Sequence, residues 1–464
     1  LVKREIVDDP RPAKSAEVEA RPFRNIPSPD VGMTSTIKYF KETEGFTKVY
    51  KLTNRLFTEH GPILRDDILF GGKPAVHIID PDDFEKVFRS EGRYPRRPPI
   101  DIWIEHRKRR NYFIGVFSAK TGAGLFRIRV SVRLGLVQIT FWPHFSETYP
   151  EGGGGGRRGR GVGADKKCIG TVAFDTRLGL YDDPIPPEAL QFINEVQNFF
   201  ALSHKLIFSA AHRIAGPYID TPLFKKFLKC GDTMLDIGQG FVEKKMMELK
   251  GMAEKGTDSS DNSQVVSVLT YLLTKEDLTP EEVNGHAIDV VAGGVDTVSV
   301  EKKRIIIIYY LINGVVNQCY MSSSLHDTLL NTIPWLNPTV GALARILDQD
   351  VTLSGYTVPA NTIVIMEFYC CALSGKYYKD SLDFQPERWL NKDKDENHAF
   401  TNLPFGFGTR MCLGRRVAEL ELYILVCKLL QRFRLEYHHE PLEMYQKLFA
   451  VPDKPVKIKF VDRL

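Results

Sequence analysis

No stretch of this chain is apolar for long enough to span a bilayer. The longest run, Ile305 to Ile312, is eight residues, against roughly 20 for a spanning helix. The chain opens on Leu1 rather than Met, which leaves the true N-terminus and any targeting segment open. Cysteine is scarce: seven among 464 residues, at 168, 230, 319, 370, 371, 412 and 427, with no CxxC and no framework spacing. That usage fits a reducing compartment. Neither sign of charge dominates, since 62 Lys and Arg face 58 Asp and Glu for a net charge of +4. So small an excess gives no argument for nucleic acid and suits an acidic protein partner. There is no HExxH and no paired-carboxylate motif, so a metal-dependent hydrolase has no support.

What is present is an ordinary folded composition, 43% hydrophobic and 26% charged, with length for a large core. Length alone predicts roughly three domains. Residues 1–20, charged and proline-containing, read as disordered. The ordered chain starts at Arg21-Pro-Phe-Arg-Asn-Ile-Pro-Ser-Pro29, where closely spaced prolines stiffen it into an extended form. The pattern predicts a helix over 36–60, a hairpin from Gly61 to Ile79 around Gly71-Gly72, and a helix capped by Asp80 that runs to Arg89. Two long amphipathic helices are predicted over 186–210 and 220–250, separated by Gly216-Pro217. Over 118–168 apolar periodicity fails, and Gly152 to Gly156 followed by Arg-Arg-Gly-Arg-Gly-Val-Gly is low-complexity sequence.

Chemistry concentrates around one cysteine, in Phe405-Gly-Phe-Gly-Thr-Arg-Met-Cys412-Leu-Gly414. A metal-binding thiolate needs positive charge and hydrogen-bond donors around it and little bulk water on the sulfur. Gly406, Gly408 and Gly414 permit close backbone approach and positive φ, Phe405 and Phe407 shield the site, and Arg410 offers a fixed charge to an anionic group. After Gly414 the pattern is helical, with Leu413, Val417, Leu420, Ile424 and Cys427 on one face and Arg415, Arg416 and Glu419 on the other. Cys412 therefore lies at a helix N-terminus, where the dipole favours an anion. Zinc is a poor fit, because no second Cys or His stands at the usual ligand spacing.

FxxGxRxCxG followed by RRxAE resembles the haem-ligand loop of the cytochrome P-450 superfamily, in which a cysteine thiolate holds haem iron. A second segment resembles the same family. Ile288-Asp-Val-Val-Ala-Gly293-Gly294-Val-Asp296-Thr297-Val298-Ser299 lies in a helix expected to begin near Glu281. Two adjacent glycines inside a helix cost about 1 kcal/mol each relative to alanine, so something needs the space. The segment is similar to the family's distal-helix motif [AG]Gx[DE]T[TS], with Val298 in place of Thr or Ser. That likeness implies that the glycines make room for dioxygen, that Thr297 hydrogen-bonds the bound oxygen, and that Asp296 relays protons to it.

Upstream of Cys412, Phe384-Gln-Pro386-Glu387-Arg388-Trp389 matches the family's PERF/PERW element. Arg388 then belongs to a buried salt-bridge network with the Glu and Arg of an ExxR helix. The stretch Pro338 to Arg345 also fits, with Arg345 at a haem-propionate position. Two elements are missing. Thr332 and Trp335 stand where the ExxR glutamate and arginine belong, and Glu301-Lys-Lys-Arg304 has the spacing without the continuation. The WxxxR signature of a propionate-binding helix is absent from 118–168, and Trp103 with Arg107 has that spacing by coincidence, ahead of the expected place. Sharp edges around 118–168 and 302–334 point to a mis-assembled reading frame, such as translated intron.

The resemblance implies a mainly α fold with small β-sheets (α+β), a single domain over 21–464, and haem b between the distal helix and the Cys412 loop, with Arg410, Arg345, Phe405, Gly408 and Gly414 contributing to its binding. It implies a monooxygenase acting with O2 on a lipophilic substrate such as a sterol, ecdysteroid or xenobiotic. The start at Arg21 is similar to the PFxxIPGP element of mitochondrial members, with Ser28 for Gly, and Arg415 and Arg416 occupy the CxGRR positions of that branch. An acidic, adrenodoxin-like ferredoxin is thus the expected electron donor. The expected location is the matrix side of the mitochondrial inner membrane, with peripheral membrane contact and a microsomal site as the alternative. The competing reading is a non-catalytic remnant that retains haem poorly.

Overall fold

Several expected boundaries can be followed into local geometry in the computed structural model, which describes residues 20–29, 33–67, 73–115, 184–254 except 217, 269, 272, 278–312, 338–383 except 382, 385, and 398–462 except 441 and 447, and so leaves out Gly71-Gly72 of the expected hairpin. The expected disorder of 1–20 and the low-complexity stretch 118–168 fall outside these, apart from Ala20. So do Thr332, Trp335 and Arg388.

The helix expected over 36–60 is two helices, α1 (Met33–Glu42) and α2 (Val49–His60). The sequence between them cannot continue a helix, because Glu44, Gly45 and Phe46 are all left-handed, with φ of 50°, 73° and 63°. Thr43 Oγ1 donates to Tyr39 O at 2.7 Å and accepts from Phe46 N at 3.1 Å. Phe46 thereby reaches Phe208, on which it stacks at 5.3 Å. The hairpin is present as β1 (Ile63–Asp66) against β2 (Ala75–Ile78). Asp80 accepts from Asp82 N at 3.0 Å and caps α3 (Pro81–Arg89), with Pro81 in the first turn where its missing N–H does no harm.

A basic helix, α4 (Asp101–Arg109), comes next. The two long amphipathic helices are α5 (Pro187–Ile207) and α7 (Pro222–Glu254), with a short α6 (Ala210–Ala215) between them capped by Ser209. Then comes α8 (Pro280–Ile312), which continues unbroken past Lys302. Strands β3 (Leu343–Ile346), β4 (Val351–Leu353), β5 (Tyr356–Val358) and β6 (Ile363–Met366) lead to α9 (Phe368–Leu373). Helix α10 (Arg415–Arg432) and strands β7 (Phe433–Glu436), β8 (Met444–Gln446), β9 (Ala450–Pro452) and β10 (Lys459–Asp462) complete the described chain. The architecture is mainly helical with small sheets, as expected for the α+β class.

The largest sheet has the order β1-β2-β6-β3, with β2 parallel to β6 and the other pairs antiparallel. Its fully buried β6 covers one core with α2, α3 and α9, centred on Phe84, Val364 and Phe368. A second core is helical, with α4, α5 and α7 packed on α8 through Phe192, Phe227, Ile288 and Val291. Stacked Phe199 and Phe227, 4.8 Å apart, join α5 to α7. Among the described residues no helix is long and apolar enough to cross a membrane.

One polar group ties the strands of this sheet to the start of α9. The His77 ring lies 2.8 Å from Glu367 Oε1 and 3.4 Å from Asp66 Oδ2. Burial would depress its pKa, yet bonding to the two carboxylates outweighs this and raises it to about 9. A folded value above the unfolded 6.5 stabilises the fold fully below pH 6.5, and the contribution disappears as pH rises through about 9. Chemical denaturation of the protein and of His77→Gln at pH 6 and pH 10 tests this: the stability difference present at pH 6 should shrink at pH 10.

Candidate active site

Helix α8 starts at a reciprocal cap. Glu282 N donates to Thr279 Oγ1 at 3.3 Å, while Thr279 N donates to Glu282 Oε2 at 2.8 Å. From Gly285 to Ala292 every residue is buried. Accessibility returns at Gly293, Gly294 and Thr297, halfway along a helix whose surroundings are core. The two glycines and the threonine are thus less tightly covered by the described residues than the buried run before them. Thr297 Oγ1 donates to Gly293 O at 2.6 Å, the i−4 back-bond that commonly bends helices. Its lone pairs point elsewhere and remain acceptors. The Asp296 side chain lies outside the described residues.

The Cys412 loop is a closed turn in which the cysteine is exposed. Cys412 N donates to Phe405 O at 2.8 Å, Gly406 N to Leu403 O at 2.9 Å, and Met411 N to Gly408 O at 3.2 Å. Gly406 and Gly408 take φ of 70° and 69°, as expected. Gly414 does not. Its carbonyl accepts the first helical bond, from Ala418 N at 2.9 Å, so it stands at the cap position just before α10 and keeps an ordinary φ. Cys412 is an exposed free cysteine, in contrast to the buried Cys230, Cys370 and Cys371. Phe407 packs 5.5 Å from Phe88 and 5.1 Å from Phe400, and Phe405 lies under the Arg415 guanidinium at 5.4 Å. Leu413, Val417, Leu420 and Ile424 join the same cluster as Val283, Val291 and Val295, so the helix that follows the cysteine packs on the helix that carries Thr297. The Cys427 side chain lies outside the described residues.

Arg345 on β3 and Arg410 in the loop, distant in sequence, meet in space. Arg345 is 5% exposed and its Nε donates to Glu91 Oε1. Arg410 Nε donates to Pro95 O at 3.1 Å. Burial, and then the charge of Arg345, press Arg410 below the ordinary arginine range, with Glu91 opposing. Burial raises Glu91 in turn, against the attraction of Arg345. Two guanidinium groups brought together at a buried site, one of them in the loop of the exposed Cys412, form a donor set that would suit a dianionic porphyrin whose metal takes a soft sulfur ligand. The residues present fit haem. Glu91 was invisible in the sequence, because no motif marks it and its partner is far along the chain.

Trp103 and Arg107 are not a propionate pair. Trp103 Nε1 donates to Ser203 Oγ at 2.8 Å, and Arg107 Nη2 donates to Asp289 Oδ1 at 2.8 Å with both residues buried. Arg415 and Arg416 are exposed in the first turn of α10, where cations oppose the helix dipole, and Arg415 is paired with Glu419 at 2.6 Å.

A family model described as Cytochrome P450 matches residues 167–312 and 336–460, more than half of the chain. The unmatched interval contains Thr332 and Trp335, and the match begins where the low-complexity stretch ends. The mitochondrial cholesterol side-chain cleavage enzyme of Homo sapiens is 28% identical over 480 residues, covering 95% of this chain and 89% of the relative. The Sus scrofa enzyme of that name is 27% identical over 478 residues, with the same coverage. The mitochondrial sterol 26-hydroxylase of Rattus norvegicus is 26% identical over 442 residues, covering 85% and 81%. Among solved structures, the haem domain of cytochrome P450DA superposes with a TM-score of 0.71 at 15% identity, covering 96% of this chain and 98% of that one. It shares the fold. Loop pattern, family match and architecture converge, and the chain belongs to the cytochrome P450 family of haem-thiolate monooxygenases.

Proposed function

We propose that this chain hydroxylates a lipophilic substrate of the sterol class in mitochondria, drawing electrons from an acidic ferredoxin. One observation carries the reading: the exposed thiol of Cys412 precedes a helix packed on the helix that opens at Gly293, Gly294 and Thr297. The sterol class and the mitochondrial location are supported by the names of the relatives at 26–28% identity. When bound, haem b supplies the reduction of dioxygen by which one oxygen atom enters a C–H bond and the other leaves as water.

The chain's residues divide the remaining work. Cys412 would hold the haem iron through its thiolate, in a loop closed by its N–H bond to Phe405 O at the positive end of α10. Arg410 and Arg345 clamp the carboxylates of the cofactor, and Glu91 aims Arg345. Phe405, Gly408 and Gly414 shape the loop around the ligand. Gly293 and Gly294 leave room beside the metal face. Thr297, its own proton committed to the Gly293 carbonyl, accepts a hydrogen bond from water and so positions it, and Asp296 passes protons inward from solvent. Arg388, which lies outside the described residues, would join the salt-bridge network that the family resemblance implies. Arg415 and Arg416, placed against the helix dipole, serve docking rather than stability and steer the acidic donor.

A second reading, a non-catalytic remnant of the same family, is favoured by the unmatched interval 313–335, where the ExxR pair belongs. Haem occupancy after expression with haem precursor separates the two. An occupied protein that turns over with ferredoxin and its reductase excludes the remnant.

These roles have measurable consequences. The reduced protein under CO should show a thiolate-type Soret shift that Cys412→Ser abolishes; an unshifted spectrum in the unaltered protein removes Cys412 as ligand. Thr297→Ala should keep consuming oxygen while product formed per electron falls about tenfold or more, in line with the usual worth of a positioned proton donor or acceptor. Charge reversal at Arg415 and Arg416 should slow reduction by an acidic ferredoxin about tenfold at low salt, and the difference should fade as salt is raised.

A further inference from the structure

On the same stripe of α8 as the proposed oxygen site lies a histidine that the proposed reaction does not use. His286 is 0% exposed. Neither Nδ1 nor Nε2 has a hydrogen-bond partner among the described residues. A fully buried polar group without a partner costs about 1–3 kcal/mol, so such groups in native proteins normally await water or a ligand. Eleven residues separate His286 from Thr297, just over three turns, which puts both on one face with Gly293 between them, roughly 16 Å apart along the axis.

The surroundings are built to keep that face in place. The Phe113 ring meets the His286 ring edge-on at 5.1 Å. Phe113 is held in turn by Arg107, whose Nη1 donates to Phe113 O at 3.3 Å while Nη2 donates to Asp289 Oδ1 at 2.8 Å. Gly115 makes the approach possible, since a Cβ there would lie 2.0 Å from Asp289 Oδ2. Two residues before His286, Asn284 Nδ2 donates to Tyr112 Oη at 3.2 Å, and its Oδ1 is buried without a partner among the described residues. Burial and the Arg107 charge push the His286 pKa down to about 4, so the ring is neutral near pH 7 and carries one donor and one acceptor.

We propose that His286 forms the far polar end of the substrate site, where its imidazole hydrogen-bonds a hydroxyl or keto oxygen carried by the substrate remote from its reacting carbon. This deepens the proposed function and rests on its sterol-class reading. The substrate is then an elongated, rigid lipid with one oxygen at the end away from the metal, its reacting end at Gly293 and Thr297. Phe113 covers the imidazole and must turn aside for that oxygen to reach it. Discrimination arises because an analogue lacking the oxygen leaves the buried imidazole unsatisfied.

The test is optical titration of the haem-loaded protein with a 3-hydroxysterol and its 3-deoxy analogue, matched in side chain. The unaltered protein should bind the hydroxysterol about tenfold more tightly, the factor expected for one neutral hydrogen bond at a buried site. His286→Leu should erase that preference while keeping affinity for the deoxy analogue, and His286→Gln should restore part of it. Equal binding of both ligands by the unaltered protein, or a preference that survives His286→Leu, overturns this proposal and leaves the sterol reading intact. Failure of both ligands to bind removes the sterol reading and this proposal with it. Should His286→Leu not fold, a sterol bearing a diazirine next to its hydroxyl should label 112–115 or 284–289 in the unaltered protein; labelling elsewhere contradicts the assignment.

Discussion

The packing of α10 on α8 is the constraint on which the rest depends. Val417, Leu420 and Ile424 on one side, with Val283, Val291 and Val295 on the other, fix the distance between a helix that begins just after Cys412 and a helix that opens at Gly293. Apolar burial of this kind is stiff, since interiors packed at crystal density do not slide. The thiol and the threonine are therefore held by the core rather than by their own contacts. The local bonds only refine the arrangement: Cys412 N to Phe405 O closes the loop, and Thr297 Oγ1 to Gly293 O fixes the hydroxyl.

A second layer of the site is electrostatic and comes from elements distant in sequence. Arg345 on β3, Arg410 in the cysteine loop and Glu91 after α3 converge. Bringing two guanidinium groups together in a buried place is unfavourable by itself. An anionic cofactor bound there would relieve it, so the same arrangement that weakens the bare fold would favour the loaded one. Glu91 moderates the repulsion and orients Arg345. Between α4 and α8, Arg107 and Asp289 do comparable work, since a buried ion pair is costly to break and Arg107 also bonds the carbonyl of Phe113, whose ring meets His286.

The cysteine loop and the double glycine were legible in the sequence because each compresses several rare requirements into about ten residues. A thiolate at a helix start, two left-handed glycines and a fixed cation leave little room for another reading. The Asp80 cap was equally plain, since a proline and acidic first turn act locally. Other features were not local. The break between α1 and α2 goes with a contact of Phe46 on Phe208, and Gly414 proved to be the cap of the helix rather than a left-handed turn residue. Glu91 and His286 carry no motif at all; only proximity to Arg345, or the lack of a partner among the described residues, marks them. Trp103 and Arg107 show the converse, a motif spacing whose side chains turn to Ser203 and Asp289. The unmatched interval 313–335 shows that a family can be read clearly where the core pattern persists and lost within a few residues where it does not.

The account stands on an iron–sulfur bond formed by one residue. Resonance Raman spectroscopy of the ferric, haem-loaded protein grown with isotopically heavy cysteine reads that bond directly. A stretching band that shifts on sulfur substitution and vanishes in Cys412→Ser is the predicted result. A haem-loaded protein with no sulfur-sensitive band, or one that keeps the band after Cys412→Ser, would contradict it.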